Sequence, residues 1–416
     1  MSIKKLTPEQ ITAYKNLNIP TYETEGVITG NRVLLCLDGG GIRGVLTIQL
    51  LKKIEEIAGI PCHAFCDLVA GTSTGAIIAG LIANGESITK IEALYQKFVT
   101  KVFQKKRAFY ANKYLSPCEY DKINYREAIK EEIGNITLQD ACKMTATDIL
   151  ITAKNVTDNE ETFFTCFHND DEYLGTYKDA LLRTAMEATM SAPTYFSPLE
   201  RFVDGGTTIY NNPTAVTVME ALQYTGKGKY DMDKLTVFSL GTGKTVMSIP
   251  PEVAANPGID AIVFWLKYVM ASSSEDSNSM QSDLFRSKLF NGVDYRRFQI
   301  SLDQGAIAKL PDTDNSIADL HMVSANRLSD LTTDELNDIE LDDVNKFELM
   351  KAIGIAMVNY IMQENQFKAD LINDNGRDQL ITAFGFQVDP LTNLNSIDQI
   401  KANFSSVDWI NNQPSK

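Results

Sequence analysis

Apolar residues in this chain fall in continuous runs and in helically spaced sets, and the two patterns alternate. Val33-Leu34-Leu35-Cys36-Leu37 is unbroken, as a parallel strand buried on both faces requires. Past a glycine-rich stretch, Val45, Ile48, Leu51, Ile54 and Ile57 recur at three-residue steps and predict an amphipathic helix. A second apolar run over 65–70, broken only by Asp67, enters Gly71-Thr72-Ser73-Thr74-Gly75 and leaves as the small, apolar 76–83. That pattern predicts a short strand, a sharp turn and a buried helix. Further helices are expected over 88–109, 124–133, 177–190, 211–222, 259–272, 280–289 and 347–362. Strands are expected over 148–153, 161–167, 202–203, 235–240 and 295–302. The alternation predicts an α/β fold, a mostly parallel central sheet with helices on both faces. Residues 1–30 form a polar lead-in with a short helix near 8–17, residues 31–365 the main domain, and residues 366–416 a less patterned C-terminal extension.

Charge narrows the partners. A net charge of −15 argues against a nucleic-acid binder and against general attraction to anionic membranes. Residues 95–114 are the local exception, with six basic residues, no acidic one and six interleaved aromatics. Lys101, Lys105, Lys106 and Arg107 are candidate contacts for a lipid surface or an anionic activator. The competing reading is a solvated basic face over a buried aromatic side. The N-terminus shows no signal peptide, and the most apolar window is interrupted by the Ser73 turn, a poor membrane span. Cys36, Cys62, Cys66, Cys118, Cys142 and Cys166 contain no C-x-x-C pair and read as reduced thiols of a cytosolic protein. Cys62 and Cys66 flank His63, but no second ligand cluster follows, so no metal site is assigned.

The chemistry centres on Ser73. A G-x-S-x-G turn between strand and helix strains the serine backbone and presents its hydroxyl at a helix N-terminus, where the dipole favours developing negative charge. Asp38-Gly39-Gly40-Gly41-Ile42-Arg43-Gly44 has two readings. Gly39, Gly41 and Gly44 satisfy a dinucleotide fingerprint, with Asp67 in the place of the ribose-binding acid. Alternatively, successive glycine N–H groups form an anion nest beside Ser73, an oxyanion hole with Arg43 near. For a base, the three histidines are His63, His168 and His321, and only His321 completes the order Ser, Asp, His of an α/β-hydrolase triad. Asp204, followed by Gly205 and Gly206, is the better candidate, provided that partial desolvation raises its pKa. Two imitations are set aside. Gly241-Thr242-Gly243-Lys244-Thr245 lacks the first glycine of a P-loop, and Asp312, Asp314 and Ser316 lack the turn glycine of a calcium loop.

The 38–44 glycine run, the Ser73 pentapeptide and Asp204-Gly205-Gly206, in that order and spacing, resemble the patatin-like phospholipases. Ala188-Thr189, Ser191-Ala192-Pro193, Asn211-Asn212-Pro213 and Ser239-Leu240-Gly241-Thr242-Gly243 extend the likeness over about residues 30–365. Met190 departs from it, standing where plant patatins usually carry a small residue. The resemblance implies a patatin fold and a Ser73–Asp204 dyad without histidine. It implies an oxyanion hole from the N–H groups of Gly39, Gly40 and Gly41 with Arg43 near, and Asp38, Gly44, Gly71, Gly75, Gly205 and Gly206 as motif positions. It also implies calcium-independent hydrolysis of acyl esters in phospholipids or lysophospholipids, with no metal or other cofactor. Bacterial members include toxins, secreted effectors and cytosolic phospholipases switched on by cyclic nucleotides in anti-phage defence, so a cyclic-nucleotide activator is one of the partners the resemblance allows.

Overall fold

A computed structural model of the chain describes residues 32–58, 61–104, 118–166, 177–224, 230–232, 235–245, 249, 251–255, 261–290, 293–311 and 325–362. Its seven strands are β1 (Arg32–Leu37), β2 (Leu68–Gly71), β3 (Asp148–Asn155), β4 (Glu160–Thr165), β5 (Phe202–Asp204), β6 (Leu235–Leu240) and β7 (Asp294–Phe298). They form one sheet in the order β4-β3-β2-β1-β6-β7, with β5 also paired to β3. The β3–β2–β1–β6–β7 pairs are parallel, and β4 and β5 run antiparallel to β3.

Helices cover both faces. They are α1 (Gly44–Ala58), α2 (Thr74–Ala83), α3 (Ile88–Val102), α4 (Lys122–Ile133), α5 (Leu138–Thr145), α6 (Leu182–Thr189), α7 (Thr214–Tyr224), α8 (Ala261–Arg286) and α9 (Phe347–Met362). Strand residues alternate between the layers because successive side chains point to opposite faces. Leu35, Leu37, Val69 and Ile151 pack with α1, α2, α3, α6 and α9, whereas Leu34, Cys36, Ala70 and Leu150 pack with α7 and the C-terminal end of α8. Every residue of α2 is buried. This three-layered arrangement is the predicted α/β sandwich.

Several features differ from their sequence expectation. The helix expected over 177–190 is a 3-10 turn, Tyr177–Asp179, followed by α6. Between them Leu181 is extended and bridges Thr137, because Leu138 N–H donates to Ala180 O (2.9 Å) and Leu182 N–H to Ile136 O (3.0 Å). The helices expected over 259–272 and 280–289 are the single α8. Its polar middle faces inward, where Ser277 Oγ donates to Ile209 O (2.5 Å) and Gln281 Nε2 to Asn212 O (3.0 Å). The thiol reading fails for two cysteines, since Cys142 on α5 and Cys166 beyond β4 form a disulfide. The edge strand and α5 bring together residues 24 apart in sequence, a proximity with no local signature. Cys36, Cys62, Cys66 and Cys118 are buried and lie outside that disulfide. The lead-in helix and the C-terminal extension lie outside the described residues; the helix expected over 88–109 ends at Val102, with Phe103 as its C-cap, and residues 105–109 lie outside the described residues. Among the described residues no helix is long and apolar enough to cross a membrane.

The sheet has one consequence for chemistry. β2 and β5 lie end to end against the same edge of β3, with Gly71 opposite Ile151 and Asp204 opposite Ala153. The chain leaving β2 therefore meets the chain leaving β5.

Glu92 on α3 ties together three helices that flank the glycine run. It accepts from Gln49 Nε2 (3.0 Å) and Lys52 Nζ (2.5 Å) on α1 and from Lys351 Nζ (2.9 Å) on α9. Burial alone would push its carboxyl up, but the bonds from Lys52, Lys351 and Gln49 draw it down to about 2. The stability it supplies is present above the ordinary carboxylate pKa and is lost as the pH falls toward about 2. Both lysines are part-exposed, so Glu92→Ala is expected to cost about 2 kcal/mol rather than the larger penalty of a fully buried pair. A urea unfolding midpoint equal to wild type at pH 7 would contradict this.

Candidate active site

From Leu68 to Ala83 only Ser73 is not buried. A buried strand and a buried helix thus present one hydroxyl to the outside. Ser73 has φ 51° and ψ −124°, a left-handed conformation unusual for a side-chain-bearing residue. Gly75 lets the turn pass close to the end of β1, where a Cβ would collide with the Leu37 and Asp38 carbonyls. Gly71 is likewise closed in by the backbone of Gly75 and Ala76.

Ser73 Oγ donates to Asp204 Oδ2 at 2.6 Å, and Asp204 Oδ1 accepts from Gly206 N–H at 2.6 Å. The tripeptide Thr189-Met190-Ser191 grips both partners. Thr189 Oγ1 accepts the Ser73 N–H (2.8 Å), Met190 Sδ lies 3.8 Å from Ser73 Oγ, and Ser191 O accepts the Asp204 N–H (3.1 Å). The sequence pointed to this tripeptide only through the family likeness. Below it, Thr72 Oγ1 and Thr152 Oγ1 are hydrogen-bonded at 2.7 Å, and Gly205 packs against Thr152. Burial pushes the Asp204 carboxyl up to about 6, against the opposing pull of its bonds from Ser73 and Gly206. Such a carboxylate is a far better proton acceptor near neutral pH than one in water.

The glycine run follows β1 and lies beside Ser73. Gly39 N–H donates to Asn211 O (3.1 Å) and Gly40 N–H to Thr74 Oγ1 (3.2 Å), while Gly40 O accepts from Arg43 N–H (3.1 Å). The Gly41 N–H has no partner among the described residues. The amide of Gly39 is therefore occupied, and that of Gly40 is held by a longer bond. Thr242, from the stretch that imitates a P-loop, donates its hydroxyl to Gly39 O (2.8 Å) and packs beneath Gly40. Gly44 starts α1 in contact with the Tyr95 ring. Arg43 Nε is buried without a hydrogen-bond partner among the described residues, and burial pushes its guanidinium down to about 10, opposed by Tyr195 and Glu275.

Asp38 is fixed by a residue the sequence reading did not single out. Arg297 on β7 donates to Asp38 Oδ1 (2.8 Å) and Oδ2 (2.5 Å), with both side chains buried. Burial pushes Asp38 up, and the facing guanidinium draws it back. The two-pronged geometry holds the charged pair.

The dinucleotide reading is contradicted. Asp67 precedes β2 at the end of the sheet opposite the glycine run, where it accepts from Arg32 Nη1 (2.8 Å) and Val33 N–H (2.9 Å). A ribose-binding acid belongs at the other end of that strand. His63 is buried before β2, and His168 and His321 lie outside the described residues. Of the basic candidates, Lys101 is exposed on α3, and Lys105, Lys106 and Arg107 lie outside the described residues. Tyr95 and Phe98 of that stretch are buried.

Residues 35–218 match the family model described as Patatin-like phospholipase. The 85/88 kDa calcium-independent phospholipase A2 of Rattus norvegicus is 32% identical over 234 residues, 51% of this chain and 27% of that protein. The cGAMP-activated phospholipase of Escherichia coli (strain TW11681) is 29% identical over 253 residues, 56% of this chain and 67% of its own length. The cUMP-AMP-activated phospholipase of Escherichia coli is 27% identical over 289 residues, covering 66% of this chain and 83% of that protein. The chain thus spans about a quarter of the mammalian relative and most of the second bacterial one.

The Ser73–Asp204 bond sets a pH dependence. Only ionised Asp204 accepts the Ser73 proton, so labelling of Ser73 by a fluorophosphonate should rise with pH through about 6 and level off above it. For stability the sign is opposite: a carboxyl raised by folding favours the folded chain while protonated, a contribution lost as the pH rises through about 6. A labelling rate flat between pH 5 and pH 8 would contradict the coupling.

Proposed function

We propose, from the premise that the chain carries a patatin-like phospholipase domain over residues 35–218, that it hydrolyses acyl esters of phospholipids or lysophospholipids through an acyl-serine. The observation that carries this reading is the 2.6 Å bond between a strained, part-exposed serine and a buried carboxylate. Asp204 takes the Ser73 proton as Oγ attacks the ester carbonyl. The oxyanion of the tetrahedral intermediate is stabilised by the Gly41 N–H, by the Gly40 N–H once it exchanges its longer bond to Thr74, and by the N-terminus of α2, with Arg43 near. Asp204 returns the proton to the departing alcohol half. It then takes a proton from the water that attacks the acyl-serine and passes it to Ser73 Oγ as the fatty acid leaves, which restores both residues. No step needs a histidine or calcium.

Two further parts of the reading concern partners. The substrate lies in a lipid surface, to which Lys101, Lys105, Lys106 and Arg107 contribute attraction of about 1 kcal/mol for each side chain engaged. A cyclic nucleotide activates turnover, as in a regulated bacterial phospholipase of anti-phage defence. The names of the two Escherichia coli relatives support activation by a cyclic nucleotide.

Lipid mass spectrometry of phospholipid vesicles tests the reading. Ser73→Ala and Asp204→Ala should each lower fatty-acid release by about a thousandfold or more, and the double variant should be little worse than either single one. His321→Ala and calcium chelation should leave release intact, and cGAMP or cUMP-AMP should raise it. Near-wild-type release by Asp204→Ala rejects the dyad. Loss of release in His321→Ala restores the triad instead.

A further inference from the structure

The peptide between Gly41 and Ile42 is pinned at both ends. Its oxygen accepts from the Tyr95 hydroxyl at 2.5 Å, and its N–H donates to Leu341 O at 2.8 Å. The preceding peptide has its oxygen committed to Arg43 N–H, which leaves the Gly41 N–H turned away from every described acceptor. Gly41 has φ 56°, and a Cβ there would lie inside the Leu341 carbonyl, so the backbone of residue 341 rests directly on the glycine run. Gly41 O also accepts from Gly44 N–H, so releasing the 41–42 peptide would break three hydrogen bonds and loosen the Gly41 Cα from which the free amide projects.

Leu341 does not hold itself in place. It lies in the acidic tract before α9, and its neighbour Asp342 is buried. Asp342 Oδ2 accepts a short hydrogen bond from the Tyr120 hydroxyl, while its Oδ1 has no partner among the described residues. Tyr120 stacks on Tyr195 (ring centroids 6.2 Å apart) and meets Phe103 edge-on (5.3 Å), so its hydroxyl is fixed by ring packing. Burial first, and Asp342 second, push the Tyr120 phenol far above its ordinary range, so it remains a donor.

We propose that the Tyr120–Asp342 hydrogen bond is a latch that presses the Leu341 carbonyl onto Ile42 N–H and thereby keeps the Gly41 N–H aimed at the reacting carbonyl. Tyr120 and Asp342 are positioning residues, acting through a segment that lies beyond the matched residues 35–218. The proposal rests on the reading of Gly41 as an oxyanion donor. Because α9 follows the latch directly, displacement of that helix would be transmitted to the glycine run.

The test is steady-state hydrolysis of p-nitrophenyl butyrate by the full chain. Loss of one oxyanion donor costs about a hundredfold or more in kcat. An amide only partly misaimed should cost about tenfold in Tyr120→Phe and Asp342→Ala, with KM within about twofold. Asp342→Asn, which keeps an acceptor for the phenol, should retain most of kcat, and the double variant should fall no further than the worse single one. Tyr120→Phe removes one oxygen atom, so it remains informative should Asp342→Ala not fold. A kcat near wild type in Tyr120→Phe, a loss expressed in KM alone, or additive losses would overturn the latch. Ser73→Ala separates the two levels of the argument. If it hydrolyses the ester at the wild-type rate, the site reading falls and the latch with it. If it is inactive while Tyr120→Phe is unimpaired, only the latch falls.

Discussion

The hydrogen bond between Ser73 and Asp204 depends on how two strands share one edge of β3. β2 ends at Gly71 opposite Ile151, and β5 ends at Asp204 opposite Ala153. The interval is filled by Thr152, which bonds Thr72 and against which Gly205 packs. A one-residue slip of β5 would turn Asp204 to the other face of the sheet, because side chains alternate along a strand. The tripeptide 189–191 guards against that slip by binding the backbone of both partners. The positions of Ser73 and Asp204 are thus set by ladder register, and burial then pushes the Asp204 carboxyl up to about 6.

The glycine run is held from the other half of the chain. Arg297 fixes Asp38, Thr242 fixes Gly39, and Leu341 fixes Ile42. Asn211, which occupies the Gly39 amide, belongs to a loop bound by the inward polar face of α8. A buried ion pair such as Asp38–Arg297 adds little net stability over an apolar pair, but removing one partner strands the other. Its value here is geometric, since two parallel bonds fix the direction in which the chain leaves β1. Residues beyond 218 therefore complete a site whose serine, aspartate and glycine-run motifs lie before 207.

Much of this was legible in the sequence where one physical pattern dominates. The apolar run of β1, the small-residue burial of α2 and the helix 347–362 carry unambiguous periodicity, and the Ser73 turn carries its own glycines. The reading failed where tertiary partners override local pattern. The gap expected between helices at 273–279 is part of α8, whose Ser277 and Gln281 bind the 209–212 loop and whose Asn278 accepts from Arg297. Leu181 left the helix because Thr137 offers it a bridge. The Cys142–Cys166 disulfide, the partnership of Arg297 with Asp38 and the Tyr120–Asp342 bond join residues far apart in sequence, and nothing local announces them.

The central claim is that turnover passes through an ester on Ser73. Rapid mixing of the wild-type protein with a phospholipid, an acid quench within one turnover and peptide mass spectrometry would expose it. The account predicts a mass increase equal to one acyl chain on the peptide containing Ser73, rising and then decaying as fatty acid appears. Fatty acid released at the same rate with no adduct, or with the adduct on another residue, would contradict it.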